Sequence, residues 1–173
     1  MDHLLPLVYL TILLTILLLL AIFLFRQIIQ KKKVEDALSE LQRKVRLNNA
    51  SSEDYYLLGT IYLSKKLFDQ AIIQFRYALQ SWEKEDLEGI ANLYNTVGFT
   101  YSESNQYDLA IYYYNEAIKK LPNYTTALNN LGYAYEKKGS FEEAIKIYQN
   151  VLSYSKKNEV ALNRLEILKR RIR

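Results

Sequence analysis

The sequence predicts an all-α protein: an N-terminal single transmembrane helix, then an α-solenoid of three helix–turn–helix repeats, then a C-terminal capping helix. Three observations predict it. Residues 4–25 hold 22 residues without a charge, eleven of them leucine. The residues around Gly98 recur around Gly132, 34 positions on, and again around Gly59. Five glycines and two prolines in 173 residues, beside abundant Leu, Ile, Tyr, Lys and Glu, are too few punctuators for a loop-rich β protein.

The same composition narrows function. The sequence has no cysteine, and its one histidine is His3. Disulfides, thiol catalysis, cysteine-ligated metals, a histidine triad and a multi-histidine metal site are therefore excluded. Neither the dinucleotide nor the Walker glycine pattern occurs. Carboxylates such as Glu142 and Glu143 fall on a solvated helix face with no cleft partner. The expectation is a non-enzymatic protein with no cofactor, no metal, no small-molecule substrate and no nucleic acid.

Residues 1–25 read as the transmembrane anchor. As a helix the uncharged run spans about 33 Å against a hydrocarbon core of about 30 Å, and its insertion is favoured on the order of 5 kcal/mol. A cleaved signal peptide would have a basic start, a shorter apolar stretch and a small-residue cleavage site. This run starts Met-Asp-His and ends Ala-Ile-Phe-Leu-Phe-Arg, so an uncleaved span is expected. Only Asp2 and His3 precede it, whereas Arg26, Lys31, Lys32 and Lys33 follow. Basic residues stay on the side of synthesis, so the remaining 148 residues are expected there. The sequons at Asn49 and Asn123 then read as turn chemistry.

Residues 26–50 read as a basic amphipathic stalk helix and linker, with seven basic and three acidic residues. Val34, Leu38, Leu41 and Val45 share one helix face, suited to packing on the first repeat or, alternatively, to a coiled coil or a docked partner. Residues 51–155 are acidic, with nine basic and thirteen acidic residues, and residues 156–173 are basic again, with seven against two. An acidic domain thus lies between two basic flanks.

The repeats occupy residues 51–157, at about 52–85, 91–124 and 125–158. In the second and third copies Gly98 and Gly132 superpose Tyr101 on Tyr135, Ala110 on Ala144 and Tyr114 on Tyr148. The first copy supplies Gly59, Tyr62, Ala71 and Phe75 at the same offsets, with five extra residues around 86–90 before the second. Large apolar residues make one stripe on each helix of a unit, and the small residues mark where its two helices approach. One unit cannot bury its stripe alone, so stacking is required.

These residues match the tetratricopeptide repeat, and the second copy carries that pattern down to Pro122, which ends its second helix. Glu83 and Lys156 stand in that place in the other copies, so the second helix of the first copy is expected to run on. Trp82 is expected to pack where the first two copies cross, and of Tyr112, Tyr113 and Tyr114 only the last is expected in the core. Residues 158–173 resemble the capping helix, with Val160, Ala161, Leu165, Leu168 and Ile172 inside and Arg164, Lys169, Arg170, Arg171 and Arg173 outside. Its basic end reads as a solvated cap rather than a nucleic-acid patch.

The resemblance implies a protein partner held along the inner face of the first helix of each unit. Carried onto this sequence, the face comprises Tyr56 and Thr60, then Asn92, Asn95 and Phe99, then Asn129, Tyr133 and Glu136. A carboxylate-clamping set of basic residues is missing: Lys137 stands alone against Glu53, Glu103 and Glu136. Asn95 and Asn129 are one repeat apart, as are Phe99 and Tyr133, which suits an extended, uncharged or mildly basic segment. Bare exposed helix positions are the competing reading.

The whole layout resembles the small anchored tetratricopeptide protein of plastid and cyanobacterial genomes, the hypothetical chloroplast reading frame thirty-seven family. That resemblance implies a scaffold in the thylakoid membrane, its repeats in the stroma, whose partners are photosystem I subunits or their assembly factors. The alternative is a receptor or adaptor for protein import or targeting at an organellar or bacterial membrane.

Overall fold

The computed structural model describes residues 4–171, and among these there are eight α-helices and no strand. Asp2, His3, Ile172 and Arg173 lie outside the described residues. Helix α1 (Leu4–Arg46) is followed by α2 (Ser52–Ser64) and α3 (Phe68–Ser81), α4 (Leu87–Glu103) and α5 (Tyr107–Lys120), α6 (Thr125–Lys138) and α7 (Phe141–Tyr154), and α8 (Glu159–Arg171). The pairs are the three repeats, and α8 packs on α7.

Helix α1 joins two segments that differ in chemistry without a break between them. Its 43 residues extend about 64 Å, twice a hydrocarbon core. It is long and apolar enough to cross a membrane, and Val8–Phe25 are exposed throughout. Thr11 and Thr15 donate their hydroxyls to Val8 and Ile12 carbonyls at 2.9 and 2.7 Å, which masks their polarity. The lower half packs on the first repeat. Leu41 is buried, Leu38 and Val45 are half-buried, and Val34 is 40% exposed beyond the contact. Three polar links flank this seam: Gln42 Nε2 donates to the Tyr62 hydroxyl at 3.0 Å, and Lys44–Asp54 and Lys65–Glu35 pair at 2.7 and 2.5 Å.

Helix α1 ends where Asn48 turns left-handed (φ 52°) and the Asn49 N–H donates to the Lys44 carbonyl. Ser51 and Asp54 then cap α2 reciprocally, each side chain accepting from the other's backbone N–H. The Asn49 sequon therefore does turn and cap work.

Within each repeat the glycine admits a ring. A Cβ on Gly59 would stand 2.5 Å from Phe75, and on Gly98 or Gly132 2.7 Å from Tyr114 or Tyr148. Ala71, Ala110 and Ala144 are fully buried at the facing position. Each repeat's internal turn also uses one left-handed residue seven positions after that glycine: Lys66, Asn105 and Gly139, at φ 59°, 60° and 85°. One apolar cluster joins α3, α4 and α5 to Leu131 and Ala134 of α6. A second joins Leu128 to α7 and α8.

Three details correct the sequence expectations. Helix α3 does not run past Glu83; it stops at Ser81, and Trp82 turns extended. The five extra residues lengthen α4 at its start instead, giving 17 residues against 13 in α2 and 14 in α6. Tyr113, expected outside the core, turns back onto α4, stacking on Tyr101 at 5.4 Å and packing against the core cluster. Val160 is 53% exposed, whereas Arg164, expected outside, turns inward. Helix α5 ends just before Pro122 as expected, and α7 ends with the same backbone turn (Ser155 φ −137°, ψ 88°; Leu121 φ −137°, ψ 89°) with Lys156 in the proline position, so the turn does not require a proline.

Candidate functional site

Helices α2, α4 and α6 are the first helices of the three units, and the residues expected to form the binding face fall into three environments. Phe99 and Tyr133 are both 42% exposed and occupy equivalent places on α4 and α6. The Lys137 ammonium lies 5.2 Å from the Tyr133 ring centre, a cation over an aromatic face. These two rings are the exposed aromatic groups among the residues expected on the face. Thr60, at the equivalent place on α2, hydrogen-bonds back to the Leu57 carbonyl and is half-exposed.

The asparagines are already engaged. Asn92 Oδ1 accepts from the Tyr124 hydroxyl at 2.5 Å, and Asn95 Oδ1 accepts from Asn130 Nδ2 at 2.9 Å. Asn129 Nδ2 donates to Asn158 Oδ1 at 3.3 Å, and that same oxygen caps the α8 backbone at Ala161. The amides therefore bond the first helices of successive units to one another, and α6 to the start of α8. Each retains only part of its capacity for a ligand. The Asn129 Oδ1 is buried without a partner among the described residues.

Tyr56 and Glu136 are held by neighbours. Tyr56 packs against Phe75 at 5.9 Å and edge-on against Trp82 at 6.1 Å. Trp82 itself is half-buried, and its Nε1 donates to Asp86 at 3.0 Å, while Asp86 also accepts from the Gly89 N–H at 2.8 Å to cap α4. That N–H, then Trp82, hold the Asp86 carboxyl below its usual range. Glu136, with a side chain only 7% exposed, accepts from the Tyr148 hydroxyl at 2.7 Å and from both arms of Arg164. Burial, then Glu136, raise the Tyr148 phenol far above its usual value, so it stays a donor. The Glu136 bond raises Arg164 further. A carboxylate this well paired joins the cap to the third repeat and leaves nothing for a ligand's charge.

Asn129, Asn130, Tyr133, Thr126, Val160 and Arg164 line an open cleft of about 520 Å³ at the α6–α8 end of the face. Sequence reasoning missed Asn130, Asn158 and Tyr124, and it placed Arg164 outside. The asparagine pair at 129–130 was the available signal, but pairing across units depends on how the units stack. Among the described residues no group of acidic or histidine side chains could hold a metal.

Comparison with known proteins agrees with this geometry. Two tetratricopeptide-repeat models match residues 51–123 and 100–166. The first tetratricopeptide domain of Spaghetti (RPAP3), solved bound to the HSP90 peptide SRMEEVD, superposes with a TM-score of 0.62 at 21% identity over 70% of this chain and 95% of that one. The chain is a tetratricopeptide-repeat protein, of a class that binds protein partners. The ycf37 protein of Guillardia theta is 45% identical over 99% of this chain and 97% of its own length. The chloroplastic tetratricopeptide protein PYG7 of Arabidopsis thaliana is 33% identical over 95% of this chain and 54% of its own. This chain belongs to the ycf37 family of plastid-encoded proteins.

Proposed function

We propose that the protein is a membrane-tethered scaffold that assists assembly or stability of photosystem I, working without bond chemistry of its own. The observation that carries the tethered-scaffold reading is the join between an exposed, membrane-length apolar helix and a repeat array whose first unit packs on its lower half. Tethering confines the Phe99–Tyr133 face to a membrane surface and raises its effective concentration toward nascent membrane subunits. The basic flank of α1 supports placing the repeats on the side of synthesis, the stroma. Kinship with plastid proteins supports the chloroplast. Photosystem I and the thylakoid rest on the resemblance drawn from the layout.

The test is mild-detergent affinity purification of the tagged protein from its native membranes. Photosystem I core subunits or their assembly factors should co-elute, and Phe99→Ala with Tyr133→Ala should deplete them at least about thirtyfold, since even one buried aromatic anchor contributes on the order of 2 kcal/mol to an interface. Enrichment of translocase components or precursor proteins would instead establish the import-receptor reading.

A further inference from the structure

The docking of α1 leaves an open notch of about 500 Å³ beside the turn that joins α2 to α3. Its α1 wall carries Leu24, Ile28, Lys31, Val34 and Glu35, and Lys65 of the turn faces it. Leu24 and Ile28 are 57% and 65% exposed, so the apolar face of the helix continues past Arg26 toward the notch. Lys65 is held there by Glu35 at 2.5 Å, while Lys31, Lys32, Lys33 and Lys66 are exposed. Lys65, then Lys31, hold the Glu35 carboxyl below its usual range.

Position along the helix decides what this notch can meet. Lys31 lies six residues and Glu35 ten residues beyond Phe25, about 9 and 15 Å along the axis. If Phe25 marks the edge of the hydrocarbon core, that stretch crosses a headgroup layer of about 5–8 Å and enters the first Debye length beyond it. Apolar residues on the core side and lysines on the water side match an anionic lipid, its chains along Leu24 and Ile28 and its headgroup at Lys31 and Lys65. Asp36 is the one further carboxylate on this stretch of α1, and it does not line the notch.

We propose that this notch seats the headgroup of an anionic bilayer lipid between α1 and the first repeat, and so sets the tilt of the repeat face over the membrane. The proposal rests on α1 spanning the bilayer. Glu35 positions Lys65 but also competes with the lipid for it.

The test uses the full chain, which has no cysteine, in nanodiscs of phosphatidylcholine alone or mixed with phosphatidylglycerol. A fluorophore on Ser64→Cys reports the turn, a second on Ile22→Cys reports the span, and headgroup- or chain-spin-labelled lipids quench them. Phosphatidylglycerol should increase quenching at position 64 at least twofold, and added salt should reverse it. Lys31→Gln should lower the docked-to-undocked ratio about fivefold, the usual effect of one lysine at an anionic surface. Glu35→Gln, which frees Lys65, should leave the response intact or strengthen it; weakening would show that the ion pair alone holds the turn and would overturn the proposal. Equal quenching in both lipids, or none at position 64 while position 22 is quenched, would also overturn it. Absence of quenching at position 22 would remove the span reading itself.

Discussion

Gly98 and Gly139 show how one residue type serves two purposes that mutation can separate. At Gly98 an added methyl would stand 2.7 Å from the Tyr114 ring and 3.2 Å from the Ala110 carbonyl. Alanine gains about 1 kcal/mol of helix propensity but incurs about 1–3 kcal/mol of overpacking, and the neighbours here are a fully buried ring and backbone. Gly98→Ala should therefore destabilise, with no small residue able to rescue it. Gly139 has open space around its missing Cβ and a left-handed φ of 85°. Gly139→Ala should cost about 1–2 kcal/mol, and Gly139→Asn should recover most of that, because Asn105 occupies the equivalent turn. Urea unfolding of the three variants reads the difference. The close approach at Gly98 was legible in the sequence from a three-fold repeat of the same glycine. The engagement of Asn95 and Asn129 was not, since it depends on contacts between units. A double alanine variant at these two positions would lose about 1 kcal/mol per broken bond and confuse binding with stability. Phe99 and Tyr133, whose side chains take no part in these asparagine bonds between units, are the cleaner probes.

Helix ends carry the next prediction. Asp54 caps α2 and pairs with Lys44 of α1; the Lys44 bond, then the Ser51 N–H, hold its carboxyl below the usual value. A depressed carboxylate stabilises the fold above its unfolded pKa of about 3.9 and loses that contribution as pH falls through its folded value. The α1–α2 junction should therefore weaken in the acid window that opens as pH falls below about 4. Hydrogen exchange in Leu38–Val45 should quicken over that window, and Asp54→Asn should quicken it already at neutral pH and flatten the remaining pH dependence. At this scale the sequence was informative about helix number and face but not about ends. No proline marks the end of α3 or α7, yet both stop, because the following segments must reach the next unit's first helix. The extra residues before Gly98 could equally extend α3 or α4; Asp86, by capping α4 and accepting from Trp82, makes the second outcome the stable one.

The molecule as a whole is close to one-dimensional, and this governs how damage spreads. Its apolar interior divides into a cluster across the first two repeats, reaching α6, and a second joining α6, α7 and α8. Ile118, Tyr135 and Ile147 touch both, so the two are coupled through a narrow waist. Stacked units of this kind lose stability mainly through their own interface terms. Leu168, 1% exposed on α8, closes the second cluster, and its truncation to alanine should cost about 2–5 kcal/mol. Because Arg164 of the same helix holds Glu136 and Tyr148, loosening α8 also exposes a carboxylate that is otherwise neutralised. Leu168→Ala should therefore raise amide exchange throughout α7 and α8 while α3, α4 and α5 keep nearly their original protection. Uniform acceleration across all three repeats would mean that the array unfolds as one cooperative unit. Protection confined to the first cluster would show that the first two repeats, braced by α1, stay folded while the cap opens, so that Asn129 and Tyr133 lie on the part of the array that opens first.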